Sequence, residues 1–219
     1  MNTQKLTIIT AVVAALLALG GYFFIQSNKP ATVGENVVGK INLTGQPSFG
    51  EKDAPVKVVV FEDFKCPACK YFEERNLPKL KTDYIKTGKV EFYFINFPFI
   101  GPDSTTAAIA SECVYEQSED SFWEYKTVLF RSQQDESKIW ATPEFLTKLA
   151  QEYVPDVDTV KMRTCIDEKR YSKDVQNDLD MGRNAGVQGT PSVYVDGDLI
   201  QNSNNYELIS KAIEAALKK

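Results

Sequence analysis

The sequence contains no histidine among its 219 residues. This absence excludes sites that depend on imidazole, such as Ser-His-Asp triads, Cys-His nucleophile pairs and histidine-bound zinc or haem. Basic residues are in the minority, with 25 Lys and Arg against 30 Asp and Glu, so nucleic acid is not an expected partner. Only four cysteines occur, and a chain of this length buries a core without disulfide staples. Thiol chemistry therefore remains as the main functional signal.

An uncharged apolar run occupies residues 6–25. About 20 such residues span a bilayer as a helix, and Lys5 before them predicts an N-terminus inside and the remaining chain outside. The sequence Ala18-Leu19-Gly20 also permits cleavage as a signal peptide, but the run is longer than the apolar part of a usual signal and favours an uncleaved anchor. Both interpretations place the chain from about residue 29 onward outside the cytoplasm, where disulfides persist.

The pattern after the apolar run predicts an α/β domain interrupted by helices. Residues 56–61 and 90–97 are β-branched or aromatic runs typical of buried strands, and a helix over 66–85 between them completes a βαβ unit. A hairpin and a final helix close the chain. The expected organisation is an anchor or signal at 1–28, a linker at 29–51, one α/β part at 52–103, a helical insertion at 104–183 and a second α/β part at 184–219.

Two cysteines lie three positions apart in Cys66-Pro67-Ala68-Cys69, at the predicted start of the first helix. The free N–H groups and partial positive charge of a helix N-terminus stabilise a thiolate, and proline in the first turn costs no hydrogen bond. Cys66 is therefore predicted to be the exposed, low-pKa nucleophile, with Cys69 resolving mixed disulfides. There are two alternatives. One is a structural disulfide, which is rare at this spacing, and the other is half of a zinc site, for which the sequence has no second closely spaced pair of cysteines.

The other two cysteines, Cys113 and Cys165, fall on apolar faces of helices in the insertion. Outside the cytoplasm such residues are predicted to pair as a structural disulfide, because thiols between packed apolar neighbours are inert. The alternatives are a second redox pair that relays electrons and two unpaired buried thiols. Glu112, Asp178 and Asp180 could hold a cation such as calcium, although no motif requires one and solvated helix acids are more common. The sequence leaves the question of a metal open.

Three segments together resemble the DsbA-type thiol–disulfide oxidoreductases: residues 61–69, residues 107–125 and the Gly-Val-Gln-Gly-Thr-Pro sequence at 186–191. The resemblance runs from about residue 47 to the C-terminus, and with the apolar run it is closest to membrane-tethered BdbD-like proteins of Gram-positive bacteria. It implies a thioredoxin fold with an inserted all-helical domain, and dithiol/disulfide exchange without a cofactor. It also implies a cis-proline loop at Thr190 and Pro191 that faces the disulfide, the backbone of Thr190 pairing with an extended substrate segment.

The resemblance implies partners as well. Reduced or unfolded exported proteins would be the substrates, and a DsbB-like membrane quinone reductase would reoxidise the pair. The rival interpretations are a reductase or isomerase on the same fold, and a non-catalytic anchored module that binds peptides.

The sequence departs from the family at one position. Many members of the family carry a buried acid six positions before the first cysteine, where the acid can move protons for the resolving cysteine. Here Val60 occupies that position, and Glu62 lies two residues further along the same strand face. We expect Glu62 either to take over the proton role or to be an ordinary exposed acid.

Overall fold

The computed structural model describes residues 37–219, so the apolar run predicted to be an anchor or signal lies outside the described part of the chain. From residue 37 onward, no helix combines the length and the apolar character that crossing a bilayer requires.

The described residues form a five-stranded mixed sheet and a separate two-stranded one, β1-β2. The strands are β1 (Val37–Val38), β2 (Ile41–Asn42), β3 (Ser48–Phe49), β4 (Val56–Glu62), β5 (Val90–Asn96), β6 (Ser192–Val195) and β7 (Asp198–Leu199). The order of the five-stranded sheet is β3-β5-β4-β6-β7, with β4 parallel to β5 and antiparallel to β6. Because β4 and β5 are covered on both faces, they are almost continuously apolar rather than alternating.

Helices cover the sheet and fill the insertion. Helix α1 consists of the consecutive segments Pro67–Tyr71, Phe72–Asn76, Leu77–Leu80 and Lys81–Ile85, the second and fourth with wide π-helical turns. The others are α2 (Pro102–Tyr115), α3 (Glu119–Arg131), α4 (Pro143–Tyr153), α5 (Thr159–Asp167), α6 (Ser172–Ala185) and α7 (Tyr206–Ala216). The proline at the first position of α4 and the hydroxyl of Thr142, which accepts from the N–H of Phe145, explain where α4 begins.

The two faces of the sheet pack into separate apolar clusters. Val58 and Val60 of β4 point to the face that α1, α7 and most of the insertion cover. Val59 and Phe61 point to the other face, which is covered by Ile41 and by α6. β4 is thus buried on both sides, and the loop that follows it is held between the sheet and the insertion.

The predicted linker at 29–51 is wrong for residues 37–51. β1 pairs with β2, and β3 pairs with β5 at the edge of the central sheet. Ile41 and Leu43 are 1% and 2% exposed, because their side chains cover one face of the sheet. The strands here are only two residues long, too short to produce a periodic pattern among the surrounding polar residues.

A disulfide between Cys113 of α2 and Cys165 of α5 crosses the helical insertion. Both residues are buried in the same apolar cluster as α1. The bond closes a loop across a sequence separation of 52.

We expect the Cys113→Ala/Cys165→Ala variant to lose about 4 kcal/mol of unfolding free energy, because the unfolded chain regains the entropy of an open loop of this length. Urea unfolding of the oxidised proteins measures the difference, with Cys66→Ala/Cys69→Ala as the control that keeps this bond. An unchanged stability would show that the bond does not stabilise the fold. Loss of thiol exchange in a variant that remains folded would favour an electron relay instead.

Candidate active site

Cys66 caps the N-terminus of α1, directly after the loop that leaves β4. Its carbonyl oxygen accepts hydrogen bonds from the N–H groups of Cys69 and Lys70, both at 3.1 Å. Cys66 and Cys69 are free thiols, so the structure shows the reduced pair. Cys66 is only 7% exposed and Cys69 is fully buried. The prediction of an exposed Cys66 is therefore wrong, because the loops around the helix N-terminus cover most of its side chain.

The loop before β6 lies against Cys66. The Thr190–Pro191 peptide bond is cis, and the Cys66 thiol donates to the carbonyl oxygen of Thr190 at 3.3 Å. This contact follows from the sheet, since β6 pairs directly with β4 and so brings the two loops at their ends together. The structure thus unites Cys66, Cys69, Thr190 and Pro191, which are distant in sequence.

A glutamine from the insertion holds the backbone that leads into Cys66. The Gln133 side-chain amide donates to the carbonyl oxygens of Phe64, at 2.8 Å, and Cys66, at 3.0 Å. Sequence reasoning missed Gln133, which follows α3 and has no motif around it.

A buried ion pair ties the same loop to Asp103 at the start of α2, and Lys65 of this pair also contacts the insertion. Lys65 Nζ lies 2.6 Å from Asp103 Oδ1 and also donates to the carbonyl oxygen of Lys138. The second carboxylate oxygen of Asp103 accepts from the backbone N–H groups of Trp140 and Ala141. Since every polar atom of this buried pair has a partner, the pair fixes the loop in one position.

The two thiols differ strongly in acidity. The pKa of Cys66 is lowered to about 6, chiefly by the hydrogen bond from the Cys69 thiol, against the effect of burial. The side chain of Thr190 and the backbone N–H groups of Cys69 and Ala68 make smaller contributions. Burial raises the pKa of Cys69 well above its usual range, and its hydrogen bond to Cys66 and the charge of Glu62 add to this rise. At neutral pH the pair therefore holds one thiolate, on Cys66.

Glu62, the last residue of β4, is fully buried, so the expectation of an exposed surface acid is wrong. Burial raises the pKa of Glu62 well above its usual range, although the nearby ammonium of Lys126 opposes this. Lys126 Nζ lies 3.1 Å from Glu62 Oε2 and comes from α3 of the insertion. Val60, at the position of the family's acid, is buried in the apolar cluster on one face of the sheet.

An open cleft of about 530 Å³ adjoins Cys66. Phe99 and Ile139 line it and are 50% and 70% exposed, which is unusual for large apolar side chains. A substrate with an apolar side chain next to its reacting cysteine could bury that side chain in this cleft.

The acids suggested for a cation lie far from the thiols in sequence and line another cleft. The Glu112 carboxylate accepts from Asn96 at 2.7 Å, Asp178 accepts from Gln46 at 2.7 Å, and Asp180 pairs with Arg183. Glu112 and Asp178 are buried rather than solvated, and burial raises their pKa values to about 8 and about 7. Over residues 37–219, no three acidic or cysteine side chains form a group that could hold a metal ion.

We expect alkylation of Cys66 in the reduced protein to depend on pH with a midpoint near 6, because only the thiolate reacts. The rate should be constant at higher pH and fall as the pH drops through this midpoint. Iodoacetamide labelling followed by peptide mass spectrometry measures it.

Cys69→Ala, which removes the largest stabilising hydrogen bond, should move that midpoint to higher pH, and Cys69→Ser, which keeps a donor, should move it less. Equal midpoints in the two variants would contradict this account of the thiolate.

Comparison with known proteins agrees with this geometry. A thioredoxin family model matches residues 42–215. Disulfide bond formation protein D of Bacillus subtilis is 37% identical over 88% of this chain and 86% of its own length. A Bacillus cereus protein named probable disulfide bond formation protein D is 38% identical over the full length of both chains.

Solved structures show the same relation. The oxidised BdbD of Bacillus subtilis superposes with a TM-score of 0.79 at 37% identity, covering 85% of this chain and all of that one. DsbA of Chlamydia trachomatis superposes with a TM-score of 0.73 at 26% identity, covering 80% of this chain and 92% of that one. The chain therefore belongs to the thioredoxin family and is a DsbA-like thiol–disulfide oxidoreductase, similar to the disulfide bond formation proteins D of Bacillus.

Proposed function

We propose that the protein introduces disulfide bonds into exported proteins outside the cytoplasm, by exchange at Cys66 and Cys69. The stabilised thiolate of Cys66 carries this proposal. A dithiol whose reduced form is stabilised gives up its disulfide readily, so the oxidised pair accepts electrons from substrate thiols.

The reaction proceeds through one mixed disulfide. A substrate thiolate attacks the Cys66 sulfur, the bond between Cys66 and Cys69 breaks, and Cys69 leaves and takes up a proton. Glu62 is the proposed source of that proton, because it is buried and its charge acts on Cys69. A second substrate thiolate then attacks the substrate sulfur in the mixed disulfide, and Cys66 leaves as its thiolate. The substrate loses two electrons and the cysteine pair gains them.

The loop of Thr190 and Pro191 is the proposed docking edge for an extended substrate segment. The Thr190 carbonyl lies within hydrogen-bond distance of Cys66, so a strand added there would bring its own cysteine next to the nucleophile. The neighbouring cleft, with the exposed side chains of Phe99 and Ile139, offers an apolar contact beside the reacting sulfur.

A location outside the cytoplasm and a membrane tether are proposed from the apolar run at residues 6–25. The disulfide of the insertion supports an oxidising compartment. Because each turnover leaves the pair reduced, a DsbB-like membrane quinone reductase is the proposed partner for reoxidation.

The reverse direction, as a reductase or isomerase, would work best with a Cys66 thiolate that is less stabilised. A peptide-binding module in which the disulfide is only structural would not need two thiols of such different acidity. The low pKa of Cys66 therefore favours the oxidase.

We expect Cys66→Ala to reduce the catalysed oxidative refolding of a reduced substrate protein to the uncatalysed rate, because without the Cys66 sulfur the mixed disulfide cannot form. Recovery of substrate activity measures refolding, and binding of a labelled unfolded peptide to the same variant is the control. Refolding at the wild-type rate by Cys66→Ala would support the binding module instead.

A further inference from the structure

Gln133 lies in the loop that joins α3 to α4 and reaches the turn that leads into the nucleophile. Residues 134–139 of this loop are exposed to solvent, whereas Gln133 is half-buried. Its amide nitrogen donates to the carbonyl oxygens of Phe64, at 2.8 Å, and Cys66, at 3.0 Å. A side-chain amide carries two N–H donors, so Gln133 uses both of them on this one turn.

The two carbonyl oxygens differ in their other partners. That of Cys66 also accepts from the N–H groups of Cys69 and Lys70, as the first carbonyl of α1. Phe64 is 1% exposed, and within residues 37–219 its carbonyl oxygen has no backbone N–H partner. A buried carbonyl group without a hydrogen bond is costly, so Gln133 fixes the position of this peptide group.

Asp63 holds the N–H groups of the same turn. Its carbonyl oxygen accepts from the N–H of Cys66 at 2.9 Å, and its side chain accepts from the N–H of Lys65 at 2.8 Å. The second carboxylate oxygen accepts from two N–H groups of the loop after β5. The thioredoxin part thus holds the N–H groups of the turn, and the insertion holds its carbonyl groups through Gln133.

The position of this turn controls access to Cys66. The residue is only 7% exposed and opens onto the cleft beside it. The donors that stabilise its thiolate include the Cys69 thiol and N–H groups at the start of α1, which the helix keeps in place. Hydrogen bonds weaken steeply with distance and angle, so a displaced Cys66 would lose these donors and its narrow opening together.

Charged side chains near the nucleophile do not take over this role. Lys65, Asp103 and Glu136 line the cleft. Lys65 and Asp103 neutralise each other at 2.6 Å, and Glu136 is exposed and has the same sign as the thiolate. Behind the helix, Glu62 and Lys126 lie 3.1 Å apart as a buried pair. Stabilisation of the thiolate therefore depends on hydrogen-bond geometry, and so on where the turn is held.

We propose that Gln133 is a positioning residue that holds the backbone of Cys66 where its sulfur meets both the donors of α1 and the substrate. Gln133 acts through the two carbonyl groups and takes no part in the exchange of bonds. The substrate step of this inference rests on the proposed function, whereas the effect on the thiolate concerns the reduced pair alone.

The test removes only the amide donor. Gln133→Met keeps the length of the side chain without a donor, and Gln133→Glu keeps its shape but places an oxygen opposite the two carbonyl oxygens. Gln134→Met and Gln134→Glu, at the exposed next position, are the matched controls, and Gln134→Glu adds the same charge.

Alkylation of the reduced full-length variants with iodoacetamide reports on the thiolate. The midpoint should rise in Gln133→Met, because a displaced Cys66 loses donors, and rise further in Gln133→Glu, which adds a like charge. Both Gln134 variants should keep the midpoint near 6. Urea unfolding measures stability in parallel. A lower stability of the Gln133 variants with midpoints equal to those of the Gln134 variants would overturn the proposal, because it would show a structural role only.

Oxidation of a reduced two-cysteine peptide by the oxidised full-length protein measures presentation to substrate. We expect kcat/KM to fall roughly 10-fold to 100-fold in Gln133→Met, as for other small misplacements of a reacting group, and to stay at the wild-type value in Gln134→Met. Equal kcat/KM values in these two variants would overturn the role in presenting Cys66. If Gln133→Glu does not fold, Gln133→Met decides alone. A wild-type protein that oxidises no peptide would overturn the proposed function, and the alkylation midpoints would still decide the role of Gln133.

Discussion

A single negative charge, placed on Cys66 and withheld from Cys69, is the constraint on which this structure depends. The chain contains no histidine to provide a neighbouring cation, so the charge is stabilised by hydrogen-bond donors: the Cys69 thiol, the side chain of Thr190 and the N–H groups at the start of α1. The N–H groups can serve Cys66 because this residue caps the N-terminus of α1. Cys69, one turn further in, is buried, and its thiol stays protonated and available as a donor.

The inserted helices are part of this arrangement rather than an addition to it. Gln133 holds the carbonyl oxygen of Cys66, and Asp103 holds the side chain of Lys65 next to it. Lys126 reaches the carboxyl group of Glu62 at the end of β4. Each contact reaches, from the insertion or from Asp103 directly before it, the loop or strand that positions the nucleophile. An insertion at this point of a thioredoxin fold can therefore set both the position of Cys66 and the charge beside Glu62.

Local patterns explain which features could be predicted. β4 and β5 are recognisable because strands buried on both faces are continuously apolar, and the Cys-Pro-Ala-Cys sequence carries its chemistry within one helical turn. The loop of Thr190 and Pro191 could be assigned only through the family resemblance, since its contact with Cys66 spans 124 residues of sequence. Gln133 and Lys126 carry no local signal, because their partners are brought to them by the packing of α3 against α1.

Two expectations failed for a related reason. The segment from residue 37 to 51 looks like a linker because its buried residues, among them Ile41 and Leu43, are few and lie between polar neighbours. Cys66 looks exposed when only its own helix is considered. The surrounding loops leave it only 7% exposed, at the edge of a cleft. In both cases burial is imposed by distant parts of the chain, and no periodicity records it.

The most direct test of the central claim is to trap the covalent intermediate with the Cys69→Ala variant, in which the resolving thiol is absent. Incubated with reduced, unfolded substrate proteins under mild oxidation, this variant should accumulate mixed disulfides that mass spectrometry maps to Cys66. Mixed disulfides that map elsewhere, or none above the level of the Cys66→Ala/Cys69→Ala control, would contradict the assignment of Cys66 as the nucleophile.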